Sequence, residues 1–294
     1  MAAAAAVRPS RSAEVRRQSN VRVITLGELS SSGTELIVMS TEIEGDPLKK
    51  SVYFRLQRWS AWSGFLVLVL MLVAYGVGDL LSPMSPTMSA NEIRDFLVDH
   101  QHGILLCVAI MVLTVPFEYP YVVATSMQMR RVEGGWGWLS MVQLTTGVVA
   151  PTGFFYPLAI LAAAAYRPES HSPDVLSAMT DIFWLMYVGN ACIFVLQVWS
   201  IGFASYFDQR AKPIFPRWYA HLSMLLGVLL ISGAFVFLNK TGPFAWNGIL
   251  AQGIPAIAYL VWKVATPLVL LKAIKGEEAE LAAKDAVEAE PATA

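Results

Sequence analysis

Long apolar runs separated by short polar connections set the pattern of this chain. The cleanest covers residues 60–81, SAWSGFLVLVLMLVAYGVGDLL, with no charge between Arg58 and Asp79. About 20 such residues, wound as a helix, cross a hydrocarbon core about 30 Å thick. Five further runs repeat the theme at 103–125, 138–165, 178–205, 218–238 and 249–271. Trp and Tyr near their ends mark them as membrane spans. The pattern predicts an all-α, polytopic integral membrane protein: a bundle of six transmembrane helices, in three hairpins, with no repeat of fixed period.

The flanks read differently. Residues 1–52 form a polar tail carrying Arg8, Arg11, Arg16, Arg17 and Arg22. Within it, alternation at 21–26 and 36–43 around a Ser-Gly stretch is compatible with a small hairpin, and disorder is the equal alternative. Met39 is an alternative start. Ala2 to Ala6 is too short for a secretory signal and runs into arginines, so insertion is expected to begin with the first span. Residues 48–59 mix basic and aromatic side chains, as an interfacial lead-in does. Residues 53–273 are assigned to the membrane domain. Residues 274–294 form an acidic, alanine-rich tail, either a solvated helix or a disordered end.

Charge gives the orientation. Lys49, Lys50, Arg55, Arg58, Arg130, Arg131, Arg210, Lys212, Arg217, Lys272 and Lys275 fall on one side of the expected bundle, and only Arg94, Arg167 and Lys240 on the other. Basic residues stay inside, so both termini are expected in the cytoplasm and the protein in a bacterial-type plasma membrane. The composition agrees: 55% of residues are hydrophobic and 15% charged, against about 25% charged in soluble domains. A net charge of −1 offers no basic face, which argues against nucleic acid as a partner. Cys107 and Cys192 sit in apolar runs without metal-ligand spacing and are expected to be buried and inert.

Against this background, Glu118 is the most informative position. It lies in Pro116-Phe-Glu-Tyr-Pro120, about a third of the way in from the cytoplasmic face, where a charge costs at least about 2.5 kcal/mol. Each proline removes an N–H and crowds the carbonyl four residues back, leaving Val112 and Pro116 with carbonyls in want of partners. Lys263 falls at similar depth in the sixth run and is the natural counter-ion, so the second and sixth helices are expected to bring the two within ion-pair reach. Gln143 and Thr146, Gln197, His221 and Thr266 add polar groups to the same layer. Tyr187, Asn190, Phe194 and Gln197 recur at helical spacing and are expected to share a face turned into the bundle. Two readings stay open: a cavity in which Glu118 carries a proton or contacts a ligand, or a structural carboxyl among interhelical hydrogen bonds.

Prolines at 151, 157, 255 and 267 predict bent or broken helices, a recurring mark of transporter sites. Ordinary proline kinks are the competing explanation. On the outer side, residues 91–102 read as an amphipathic interfacial helix. Its Asp95, Asp99, His100 and His102, with His171, hold no known metal-site spacing, and solvated loop residues are the favoured account. Nucleotide loops, hydrolase elbows, haem-attachment motifs and facing histidine pairs are missing from the sequence, so no cofactor and no metal is expected.

Three function classes follow. The leading one is a protein that binds or transports a small amphiphilic or aromatic molecule through a cavity in the inner half of the bundle. Its site is drawn from Glu118, Lys263, Gln143, Gln197, Asn190, Tyr187 and His221. Six helices are few for alternating access, so a homo-oligomer goes with this reading. The second is a membrane-embedded enzyme on a lipid-soluble substrate, with Glu118 as general acid or base. The third is an accessory or assembly subunit of a membrane complex.

Overall fold

The computed structural model describes residues 47–289, and all regular structure among them is helical. The hairpin expected between residues 21 and 43, and Met39, lie outside these residues. Helix α1 (Pro47–Val77) begins on a proline, whose missing N–H costs nothing in a first turn, and absorbs the basic-aromatic lead-in as its opening turns. It stops where Gly78 and Asp79, the latter at φ 53°, turn the chain. Helix α2 (Ala90–Asp99) is held by a capping box: the Ser89 Oγ accepts from Glu92 N, and the Glu92 carboxylate accepts from Ser89 N at 2.7 Å. Its Ile93 and Leu97 are buried, and it packs against α6 (Pro173–Gly189).

Helix α3 (Gln101–Glu133) is one continuous helix through Pro116 and Pro120. It ends at Gly134, in the left-handed conformation (φ 74°) that glycine adopts without a Cβ penalty. The interruptions come later. The third span divides at Ala150–Pro151 into α4 (Trp138–Val149) and α5 (Thr152–Tyr166). In the fourth, α6 tightens into a 3-10 turn, Asn190–Phe194, before α7 (Val195–Phe207). The fifth is α8 (Arg217–Ile231), wound into a 3-10 segment, Ser232–Leu238. The sixth opens with a π turn, Ile249–Gly253, and continues as α9 (Ile254–Ala289).

Among the described residues, six helical segments are thus long and apolar enough to cross a membrane. Side chains are distributed to match. Leu113, Trp138 and Val228 stand more than half exposed on the outside, whereas Gln128, Gln143, Gln197, Ser223, Lys263 and Thr266 are fully buried. Lipid demands this arrangement, because polar groups must be satisfied within the bundle while apolar ones cost nothing at its surface.

At 1.5 Å per residue α9 is roughly 54 Å long, well beyond a hydrocarbon core of about 30 Å. Its acidic last turns, up to Ala289, are helical. They continue the sixth span and return along basic residues of α1 and α3. Lys50 meets Asp285 at 2.7 Å, Arg58 meets Glu278 at 2.8 Å, and Arg131 meets Glu280 at 2.8 Å. Beneath these, Glu277 accepts from Gln128 at 2.6 Å and Gln57 at 3.2 Å, both amides being buried. Residues 290–294 lie outside the described part. On the same side, the α7–α8 connection folds around Asp208, whose buried carboxylate accepts from the backbone N–H of Arg210 and Ile214.

Candidate functional site

Glu118 lies close to the midpoint of α3, which extends eight residues beyond the apolar run. From α9, the Lys263 ammonium donates to both of its carboxylate oxygens, at 2.5 and 2.6 Å. The Lys263 side chain is completely buried and Glu118 is 7% exposed. Aromatic rings enclose the ammonium: its nitrogen is 4.8 Å from the Tyr121 centroid, 5.4 Å from Trp262 and 5.8 Å from Tyr259. Ring faces carry partial negative charge and favour a cation so placed. One turn along α9, Thr266 bonds the Tyr219 hydroxyl at 2.5 Å, tying α8 to the same layer.

Gly64 is what lets α1 reach this layer. A Cβ there would stand 2.9 Å from the Tyr121 ring and 3.0 Å from Pro267. Hydrogen at that position allows α1, α3 and α9 to converge behind the pair.

Two cavities adjoin the layer. The larger, about 230 Å³, is lined by Met71, Tyr75, Phe154, Tyr187, Asn190, Phe194, Gln252 and Tyr259 among others. The smaller, about 40 Å³, includes Thr114, Pro151 and Glu118 in its wall. Met71, Phe154, Phe194 and Tyr259 border both, so these side chains divide one space into an outer chamber and an inner one. Phe154 is central to the partition, with its ring 5.4–5.7 Å from those of Phe194, Tyr259 and Tyr187. The helix interruptions converge here as well. Gly153 from the third span, Asn190 and Ala191 from the fourth, and Ala251 and Gln252 from the sixth all line the larger chamber.

The larger chamber corrects one expectation. With Leu80, Leu81, Ala251 and Gln252 in its wall, it lies toward the helix ends away from Pro47 and Ala289, rather than toward the ends that carry Pro47 and Ala289. Its location follows from the interruptions: where helices change pitch, side chains stop interdigitating and space remains.

The expected site residues separate into four groups. Glu118 and Lys263 form the pair, and Tyr187 and Asn190 line the larger chamber. Gln143 and Gln197 are buried at the α4–α7 contact instead, outside both chambers. Ser126 donates to the Gln143 carbonyl oxygen, and neither amide atom of Gln197 has a hydrogen-bond partner among the described residues. His221 points outward and bonds the Tyr206 hydroxyl at 2.5 Å, away from the pair. Thr146 closes back on the Val142 carbonyl. Cys107 is buried but Cys192 is exposed on the bundle surface, a departure from the burial expected of both.

Among the described residues no group of three or more His, Cys, Asp or Glu side chains is placed to hold a metal ion. His100, from the acidic and histidine-rich stretch, stacks on Phe96 and pairs with Asp79 at 3.4 Å.

Tyr75, Tyr259 and Trp262 are functional candidates that sequence reasoning passed over. Tyr259 had a usable signal, since it precedes Lys263 by four residues and so shares its helical face. Tyr75 had none, because its role depends on how α1 packs.

Comparison with protein-family models, with curated proteins and with solved structures gives no match to this chain. The class to which it belongs rests on its own helices, and that class is the multi-pass membrane protein.

Proposed function

We propose that the protein binds a small amphiphilic or aromatic molecule in the paired chambers and carries it across, or within, the membrane. The observation that supports this most is the location of Glu118, a carboxylate near the middle of α3 that borders a cavity and is held against Lys263. A packed structural pair needs no such space beside it. Interrupted helices around the larger chamber, and an aromatic wall with amides at two points, match what small-molecule sites require. In this reading Glu118 is the group that exchanges a proton or a ligand contact, and Lys263 holds it when the chambers are empty. The distribution of Lys and Arg supports cytoplasmic termini in a bacterial-type plasma membrane, with a homo-oligomer as the working form. The enzyme alternative has less support, because His221, the natural second acid–base group, is engaged with Tyr206 on the outside.

The test is to purify the protein in native lipid discs and identify retained small molecules by mass spectrometry. Wild type is expected to hold one that Phe154→Trp and Glu118→Gln both lose. If wild type retains none, and vesicle uptake of candidate amphiphiles is the same with and without the protein, the reading is wrong.

A further inference from the structure

Among the described residues, the wall of the larger chamber contains no charged side chain. Its polar groups are the amides of Asn190 and Gln252 and the phenols of Tyr75, Tyr187 and Tyr259, all of them neutral hydrogen-bonding groups. The carboxylate of the adjoining inner chamber is already matched by Lys263 at 2.5 Å. A charged guest would therefore arrive without a counter-charge, in surroundings where an unpaired charge is expensive. A hydroxyl or carbonyl has partners ready.

The mouth of the chamber is equally specific. Three of its lining residues are themselves exposed on the outer surface of the bundle: Leu72 at 42%, Leu81 at 65%, and Ala256. All are apolar. Leu72 belongs to the first span, Ala256 to the sixth, and Leu81 lies just past the end of the first, so the mouth opens between α1 and α9 toward the ends of these spans away from Pro47 and Ala289. Among the described residues no charged or polar residue of the wall is exposed to that degree, Tyr187, Asn190, Gln252 and Tyr259 being only half-buried.

Building on the binding function proposed above, we infer that the ligand is an uncharged, lipid-dissolved amphiphile bearing a hydroxyl or carbonyl, which reaches the chamber sideways between α1 and α9. Its polar end bonds the amides and phenols. Its apolar remainder leaves through the mouth into the acyl region.

The experiment uses one aromatic body with three end groups: 1-pyrenebutanol, 1-pyrenebutyrate and 1-pyrenebutylamine. Each is titrated at neutral pH into lipid discs carrying the full chain, with empty discs as the reference for partitioning, and binding is read as energy transfer from tryptophan to pyrene. Pyrenebutanol is expected to bind at least tenfold more tightly than either charged analogue. Ala256→Phe, which adds bulk at the mouth, is expected to weaken it at least tenfold. Ile257→Phe, also exposed on α9 but outside the lining, should stay within twofold of wild type. Tighter binding of either charged analogue overturns the neutral class while leaving a ligand site in place. Equal binding by Ala256→Phe and wild type overturns the lateral route alone. Binding of no probe beyond the empty-disc level, together with no retained molecule by mass spectrometry, overturns the binding function itself.

Discussion

Lys263 and Glu118 stand 145 residues apart in sequence, yet one ammonium holds both carboxylate oxygens, at 2.5 and 2.6 Å, inside a frame of aromatic rings. Removing two charges from water is costly, and their attraction recovers that cost only while both are present. Lys263→Met leaves a carboxylate with no partner at mid-bundle depth, for an expected loss of about 3–5 kcal/mol. Replacing both, as Glu118→Leu with Lys263→Met, should restore most of the stability, because no charge then remains to solvate. Denaturant unfolding of the four proteins in one lipid environment, read as a double-mutant cycle, checks this. Additive losses would show that the two side chains do not act as a pair.

Gly64 gives a sharper packing prediction. Its absent side chain leaves room for the Tyr121 ring and Pro267, both within about 3 Å of where a Cβ would lie. Gly64→Val is expected to cost roughly 1–3 kcal/mol by overpacking and to push α1 away from α3 and α9. Gly76, whose Cβ would meet nothing nearer than 3.9 Å, is the matched control and should tolerate alanine. Thermal unfolding of both variants tests the contrast.

The acidic end of α9 separates strong contacts from decorative ones. Lys50–Asp285 and Arg58–Glu278 are bridges with partners nearly half exposed, so Asp285→Ala and Glu278→Ala should each change stability by no more than about 1 kcal/mol. Glu277 is different. Its side chain is only 12% exposed and accepts from the buried amides of Gln57 and Gln128. Glu277→Ala strands those donors and should cost about 1–3 kcal/mol. It should also speed hydrogen exchange in the last turns of α9, which the outer two substitutions leave almost unchanged.

Depth was legible in the sequence, and rotation was not. Helical rise is constant, so counting residues from the ends of apolar runs was enough to match Glu118 with Lys263. Which way a side chain points depends on phase, and phase fails at an interruption. Tyr187, Asn190, Phe194 and Gln197 have the spacing of one helical face. The 3-10 turn over Asn190–Phe194, at three residues per turn, shifts the register between them. Tyr187, Asn190 and Phe194 consequently line the larger chamber, while Gln197 faces α4, its amide nitrogen 2.8 Å from where a Cβ of Gly147 would lie. Two prolines in α3, each costing a hydrogen bond, leave the helix continuous all the same. Asp208 left no trace at all, since its partners are backbone N–H groups that converge only once the α7–α8 connection has folded.

Outside the spans, α2 carries a pH dependence whose sign follows from its cap. The Glu92 carboxylate accepts from the Ser89 backbone N–H and from the Ser89 hydroxyl, both at 2.7 Å, and these bonds hold its pKa below the ordinary glutamate value. Hydrogen bonds to the charged form favour that form. A group with a depressed folded pKa contributes stability that is present above its unfolded pKa and lost as pH falls through the folded one. Helix α2 should therefore be fully capped at neutral pH and begin to fray only below the ordinary glutamate range, about 4.3. Backbone amide exchange across Ala90–Asp99, followed from pH 6 downward, reads this directly. Glu92→Gln should flatten that acid limb, because glutamine retains an acceptor but no longer titrates. An unchanged acid limb in that variant would move its origin away from the cap.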